Sequence, residues 1–330
     1  MTVNDVSRIL EEFAPLAYAE DFDNVGLLIG DGGTPVTGIL VTLDTLEAVV
    51  EEAIEKKCNL IVSFHPIIFK GLQKITGKNY VERVVLKAIK HDISIYAIHT
   101  ALDNAPEGVN AKICDVLGLK NTHILIPQKN TIKKLTTYVP IEHIEHLKTA
   151  LFDAGAGEIG NYANCSFATE GKGTYTANEK ANPAKGDIGS LHTEPEMQLS
   201  CVFGKAVENS VISALKNNHP YEEIAYEIST LENTNAHIGM GRLGELEKEL
   251  TEKEFLTLVK QKMNTHVVRH SPFLQKPVKK VAVLGGSGAF AISAAKAADA
   301  DVFITADIKY HQFYEAENKL VIADIGHFET

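Results

Sequence analysis

No stretch of this 330-residue chain approaches the roughly 20 consecutive apolar residues that a membrane-spanning helix requires. The opening run MTVNDVSRILEEFAPLAYAEDF has no basic start followed by an apolar segment, so a secretory leader is not expected. Cysteine is sparse: Cys58, Cys114, Cys165 and Cys201 lie far apart, with no CxxC pair. That spacing excludes a disulfide framework and a thiolate metal knuckle, and it predicts reduced, mostly buried thiols in a cytoplasmic protein. Basic charge is also short. Lys and Arg number 32 against 43 Asp and Glu, a net charge of −11. Phosphate recognition needs clustered cations, so a nucleic-acid-binding surface is not expected to be the main business of the chain. An acidic chain does suit a site for a cation.

What is present is an alternation of apolar runs and amphipathic stretches. From Gly38 the runs GILVTLD, NLIVSF and ISIYAIHT read as strands, with helices TLEAVVEEAIEKK and VERVVLKAIKHD between them. This βαβαβ order predicts a mainly parallel sheet, and strands apolar on both sides predict cover on both faces. The N-terminal run places Val6, Ile9, Leu10 and Phe13 on one helical face. The second helix would turn Leu46, Val49, Val50 and Ile54 inward. The pattern then changes near Ile126. Strand KKLTTYVP, helix IEHIEHLKTALFDAG, a strand-like run YANCSFATEGKGTY and a long polar stretch precede strand MQLSCVFGKA, helix VENSVISALKNN and strand EEIAYEIST. This is the order of a ferredoxin-like α+β sheet. After Glu232 the first style returns, with HIGMGRLGEL as a glycine-rich turn into a strand. KKVAVLGGSG, ADVFITAD and KLVIADIGH follow as further strands. The simplest account is an α/β core made of residues 1–127 and 232–330, interrupted by an inserted domain at 128–231. Two independent α/β domains flanking a third is the competing account.

Open α/β sheets bind ligands at the C-terminal ends of their strands. Polar residues at those ends form a pattern here. LIVSF runs into His65. ISIYAI runs into His99, with Asp103 four residues on. VFITA runs into Asp307, with His311 four residues on, and LVIADIG runs into His327, with Glu329 two on. A single strand-end histidine is most often a hydrogen-bonded polar side chain. Several of them, each near an acid, form a donor set suited to Zn, Fe, Mn or Ni. Other features read more plainly. Gly285 to Gly288, GGSG, is a strand-to-helix turn rather than a phosphate cradle, for it is neither GxGxxG nor a Walker loop. Ser287 lacks the GxSxG elbow of serine hydrolases. Lys70 is read as solvated, HPYEE (219–223) as a loop, and Asp21, Asp23 and Asn24 as turn residues with a site role open for Asp23.

The segments EDFDNVGLLIGD, SFHPIIFKG, IHTALDNAPEGVN, GMGRLGEL, LGGSG, DVFITADIKYH and IADIGHFET occur in that order. Together they resemble the NIF-three-like family, the type 2 homologues of GTP cyclohydrolase I. The inserted segment is similar to the PII/CutA-like domain of the longer bacterial members. The resemblance implies two related α/β lobes, each with a mainly parallel sheet, around a dinuclear metal site in a ring-shaped homohexamer. It implies His65, Asp103 and His327 as metal ligands for one or two divalent ions (Zn, Fe, Mn or Ni) per chain. Two departures stand out. Phe64 occupies the position of the first histidine of the family's pair and cannot ligate. The late glutamate would fall at position 331, past Thr330, and Glu329 is out of register with it. The chain is therefore expected to be truncated relative to the family, with one metal well held and the second weak or absent. The function expected is a metal-dependent hydrolase acting on a nucleotide-like or other heterocyclic small molecule. His99, Asp307 and His311 would move protons. The alternatives are a non-catalytic metal- or ligand-binding regulatory assembly, and an adaptor for proteins or DNA.

Overall fold

The computed structural model describes residues 1–330, which divide into two compact units: Met1–Gln128 with Ala236–Thr330, and Lys129–Asn235. In the larger unit the chain opens with α1 (Val3–Phe13), β1 (Gly26–Ile29) and β2 (Ile39–Thr42). There follow α2 (Glu47–Glu55), β3 (Leu60–Ser63), α3 (Tyr80–Lys90), β4 (Ser94–Ala97) and the short α4 (His99–Asn104). These strands form a sheet in the order β1-β4-β3-β2, in which β2, β3 and β4 are parallel and β1 is antiparallel. One face is covered by α2 and α3, whose Val50, Ala53, Val84, Val85 and Ala88 meet Ile61 and Ile95. The other face meets α1 through Val3 and Val6, which lie against Leu60, Val62 and Tyr96. Successive strand residues thus serve opposite faces, which is why β3 and β4 are buried throughout and apolar but for Ser63 and Ser94.

Helix α1 starts at a capping box between Thr2 and Asp5. Its inward face is offset from the one the spacing suggests. Val3 and Val6 are buried, whereas Ile9 and Phe13 are 57% and 48% exposed. In α2, Leu46 likewise sits outside, at the N-cap, while Val50 and Ala53 fill the core.

The chain continues with α5 (Val109–Leu117) and β5 (Lys120–Gln128) and leaves for the inserted unit. The inserted strands are β6 (Ile132–Pro140), β7 (Ser166–Thr176), β8 (Leu191–Gly204) and β9 (Tyr226–Leu231), with α6 (Ile144–Asp153) and α7 (Glu208–Asn218) between them. The order β7-β8-β6-β9, antiparallel throughout, is that of a ferredoxin-like sheet. Its core joins Leu135, Val139, Leu199, Cys201 and Phe203 of one sheet face to Leu147, Leu151, Val211 and Leu215 of the two helices. Strand β8 begins at Leu191 and so takes in LHTEPE, a run too polar to read as a strand from sequence.

After the insert come β10 (Asn235–Thr251), α8 (Glu252–Lys262), β11 (Arg269–His270), β12 (Pro277–Ser287), α9 (Ile292–Ala297), β13 (Val302–Ala306) and β14 (Val321–Asp324). The second sheet runs β11-β14-β13-β12-β10-β5. Only β12, β13 and β14 are mutually parallel; β10 and β11 are antiparallel flanks. Each sheet therefore has a core of three parallel strands, the common element of the two lobes. Two results depart from the sequence reading. Residues 109–128 belong with the second lobe: β5 pairs with its sheet, and Ile113 and Leu117 of α5 pack on Val281, Val283 and Val302. HIGMGRLGEL is strand throughout. Gly239 and Gly241 hold positive φ inside it, where a Cβ would fall 2.2 Å from the Ile126 carbonyl and 2.9 Å from that of Val283.

The four cysteines are free thiols, and burial pushes Cys114 up to about 12 and Cys201 up to about 11, which makes them packing groups rather than nucleophiles. Phe203, 1% exposed, is the largest side chain of the inserted core. Phe203→Ala is expected to cost about 3–5 kcal/mol in urea unfolding followed by a probe in the inserted unit.

Candidate metal centre

Both three-stranded parallel cores deliver polar side chains from the ends of their strands. In the first lobe these are Asp44 after β2, His65 after β3 and His99 after β4; in the second, Ser287 at the end of β12, Asp307 after β13 and His327 after β14. The two groups meet. His65 Nε2 and His327 Nε2 lie 3.2 Å apart, and the His65 ring is 5.3 Å, centroid to centroid, from that of His99.

Each imidazole is braced on its far side by a carboxylate. His65 Nδ1 donates to Asp44 Oδ1 at 2.8 Å, His327 Nδ1 to Asp307 Oδ2 at 2.7 Å, and His99 Nδ1 to Asp23 Oδ1 at 2.8 Å. An ionised carboxylate only accepts, so each Nδ1 must carry its proton. In the neutral rings Nε2 is then a bare lone pair. Two such lone pairs 3.2 Å apart repel unless a cation or a proton lies between them. Two nitrogens bound to one metal at ordinary Zn–N lengths and a near-tetrahedral angle would be separated by roughly 3.3 Å. Carboxylate bracing of the outer nitrogen is also how metal-bound histidines are held in one tautomer.

Asp103 supplies the third feature. It lies one turn after His99 on α4, beside His99 and His327, and no group donates a hydrogen bond to its carboxylate. Burial is the main cause that raises its pKa, to about 7, and Asp23 and Glu20 add to it; His99 and His327 oppose. A desolvated carboxylate without a donor needs either a proton or a cation. His65, His327 and Asp103 thus fit a divalent ion by donor chemistry. No three His, Cys, Asp or Glu side chains close tightly enough to enclose one by themselves. Phe64 supplies no donor; its ring makes edge-on contacts with His65 and His99, at 5.0 and 5.5 Å between centroids.

Asp23, for which a site role was open, is the anchor of His99. Its side chain also accepts from the Thr100 amide at 3.1 Å and from the Thr100 hydroxyl. Burial would raise its pKa, but the hydrogen bonds from His99 and Thr100 outweigh it and hold the carboxyl at about 2. The backbone is strained at this point: His99 has φ +27°, and Asp307 on the opposite side has φ +57°. Such angles persist only where surrounding structure over-determines them, and they cluster at functional sites. Asp307 is held by His327 and by the Ser287 hydroxyl, so it braces a ring instead of standing free. His311 is exposed, in ring contact with Tyr310 and Tyr314, and none of its contacts is with these histidines. Glu329 folds back over Gly326, where a Cβ would come 2.1 Å from its Oε2.

Three residues, Asp44, Asp324 and Asn110, escaped the sequence reading. Asp44 ends the run GILVTLD, and the strand-end rule applied to that run would have found it. Asp324 is 6% exposed. It accepts from the amides of Ile308 and Gly326 at 2.9 and 3.2 Å, and from Arg269, which ties the Asp307 and His327 loops together. Asn110 does the same across the lobes: its Nδ2 donates to the Asp103 carbonyl at 3.0 Å and its Oδ1 accepts from the Gly285 amide at 2.9 Å. The Gly285–Gly288 segment is not the tight turn expected: β12 continues through Ser287 with Gly286 at φ +70°, and the Gly286 amide donates to Thr330 Oγ1 at 2.9 Å.

Asp23 sets a pH dependence. Its folded-state pKa lies below the ordinary carboxylate value, so its contribution to stability is present above about pH 4 and is lost as pH falls through about 2. Asp23→Asn is expected to cost on the order of 1–2 kcal/mol near neutral pH, after discounting for solvent screening, and the gap from the wild type should close toward pH 2 in denaturant titrations.

Comparison with known proteins bears on the chain as a whole. The chain matches the family Duf34/NIF3 (NGG1p interacting factor 3) over residues 1–330. A Bacillus subtilis protein named GTP cyclohydrolase 1 type 2 homolog is 43% identical over 325 residues, 98% of this chain and 87% of that protein. A Staphylococcus aureus protein of the same name is 35% identical over 329 residues, 99% and 89% of the two chains. Among solved structures, a Bacillus cereus protein related to NIF3 superimposes with a TM-score of 0.84 at 38% identity, covering 100% of this chain and 89% of that one. By sequence, by fold and by the extent of both matches, the chain belongs to the Duf34/NIF3 family.

Proposed function

We propose that His65, His327 and Asp103 hold a divalent metal, and that the protein is a metal-dependent hydrolase for a nucleotide-like or other heterocyclic small molecule. The observation that carries the metal is the pair of Nε2 atoms facing each other at 3.2 Å with both Nδ1 atoms already committed to carboxylates. A divalent metal bound there would supply Lewis acidity and bring the pKa of water toward neutrality. The protein's own proton carrier is His99. Its Nδ1–H is fixed by Asp23, which leaves Nε2 to accept a proton and stabilises the imidazolium that results. Beside it, the exposed rings of Phe22 and Phe69 lie 6.4 Å apart, and Phe69 is 6.3 Å from the His99 ring. Exposed aromatic rings next to a proton acceptor favour a planar substrate that can stack. The name GTP cyclohydrolase 1 type 2 homolog, borne by relatives, makes GTP the first substrate to screen.

A second reading keeps the metal without turnover: a metal- or ligand-binding regulatory assembly. It is favoured by Phe64, which removes a donor, and by the lack of a tight three-donor cluster. Either reading is compatible with the homohexameric ring that the family resemblance implies, which light scattering of the purified protein would test. No helix is long and apolar enough to cross a membrane.

Elemental analysis of the purified protein is expected to find about one equivalent of Zn, Fe, Mn or Ni per chain. His65→Ala and His327→Ala should each lose it, and full metallation of both variants would overturn the site. His99→Ala should retain the metal and lose turnover on the substrate that a screen identifies. Turnover unchanged in that variant would remove His99 from the mechanism and leave the metal assignment standing.

A further inference from the structure

A cavity lies wholly inside the inserted unit. The four-stranded sheet there is covered by α6 and α7 on one face only. Because side chains alternate along a strand, Tyr138, Glu196 and Gln198 point away from the helices that Val139 and Leu199 meet. On that opposite side, β6, β7 and β8 combine with residues 177–184 and 221–225 to enclose a cavity of about 580 Å³. This is the size of a small-molecule pocket, for which roughly 300–1,000 Å³ is usual. Its walls include three tyrosines, Tyr138, Tyr175 and Tyr221, with Ala177 and Pro183.

The polar group at this surface is Glu196, only 8% exposed. The Tyr221 hydroxyl donates to its Oε1 at 2.7 Å. No protein group donates to Oε2, which lies over Gly173, where a Cβ would come within 1.9 Å of it. Glycine at that position makes room for the carboxylate. No basic side chain pairs with Glu196: the nearby Lys185 is committed to Glu142 and Glu194. The cavity is also acidic as a whole, since Glu170, Glu222 and Glu223 join Glu196 on its wall against Lys172 alone.

The arrangement is built rather than incidental. His219 is buried, donates from Nε2 to the Tyr138 carbonyl at 2.9 Å, and accepts from the Tyr221 amide through Nδ1 at 3.1 Å. Both ring nitrogens of the HPYEE histidine are therefore used to place Tyr221, whose hydroxyl in turn orients Glu196. Desolvation lowers the pKa of His219, in keeping with a neutral ring in that role.

We propose that this cavity binds a small organic cation, an alkylammonium or guanidinium carried on a planar apolar body. Glu196 Oε2 accepts from the cationic N–H, and the tyrosine rings pack against the planar body. A neutral apolar ligand would leave a desolvated carboxylate oxygen without a donor, and an anion would face four carboxylates. A cation satisfies the oxygen and gains the ring faces as well. This site is independent of the metal reading.

The test titrates the full chain with tryptamine and, separately, with indole-3-acetate, an anion of similar size and shape, by calorimetry. Tryptamine is expected to bind at one site per chain and indole-3-acetate not to bind. Glu196→Gln, of the same shape, should weaken tryptamine roughly tenfold to a hundredfold, the loss of one charge-assisted hydrogen bond. Thr169→Trp is placed at an exposed position of β7 opposite Gln198, fills the cavity from outside, and should abolish binding even where Glu196→Gln fails to fold. Equal affinity for the two ions, undiminished binding in Glu196→Gln or Thr169→Trp, or no binding of tryptamine would overturn the proposal. Metal content measured on the same samples reports separately on the histidine site.

Discussion

Two imidazole nitrogens face each other at 3.2 Å with nowhere else to direct their lone pairs, and much of the larger unit is arranged to keep them so. Asp44 and Asp307 fix the tautomers from behind, and neither ring can turn away without breaking its carboxylate contact. Two lone pairs held at that separation cost free energy in the absence of a positive centre. The supporting structure must over-determine the geometry. It does so through parallel strands on both sides, buried along their whole length at β3, β4, β13 and β14, whose C-terminal ends are set by registers such as Ser63 with Ala97 and Thr305 with Asp324.

The strain is local and symmetric. His99 and Asp307 take positive φ at the ends of β4 and β13, where the chain must turn sharply to bring a side chain back over the sheet edge. Thr100 and Asp23 hold the first turn; Asp324, Arg269 and Ser287 hold the second. Asn110 couples the end of α4 to the glycine segment at the end of β12, so that Asp103 and the second lobe keep a common frame. A donor set drawn from strands about 260 residues apart in sequence requires such cross-ties, because loop ends are otherwise the least constrained part of an α/β sheet.

The inserted unit follows a different logic. One sheet face is closed by helices, and the tyrosine-lined cavity lies on the other. A buried glutamate without a cationic partner is retained there, with a histidine and a tyrosine spent on orienting it. Buried charges of this kind are costly to keep for stability alone. The chain therefore carries two clusters of contrasting character, one of facing imidazoles beside the desolvated Asp103 and one of a carboxylate among aromatic rings.

The sequence by itself determined the buried parallel strands, the change of pattern at the insert and the strand-end histidines, because these rest on local periodicity and on the rule that α/β sheets present side chains at their C-terminal ends. His65, His99, Asp103 and His327 were legible for that reason, and Asp44 was equally accessible at the end of GILVTLD. Tertiary structure alone decided the rest. Whether Asp307 stands free or braces His327 depends on the angle at which two strand ends meet, and no spacing encodes it. His311 shares the motif of Asp307, yet faces solvent with Tyr310 and Tyr314, because the segment after β13 coils into a 3-10 turn. Residues 109–128 followed the first lobe in sequence but pack with the second, since Ile113 and Leu117 share a core with Val281, Val283 and Val302 and β5 joins the second sheet. The exposure of Ile9, Phe13 and Leu46 shows the same limit: an apolar stripe announces a helix, but the surface it meets decides which part of the stripe is buried.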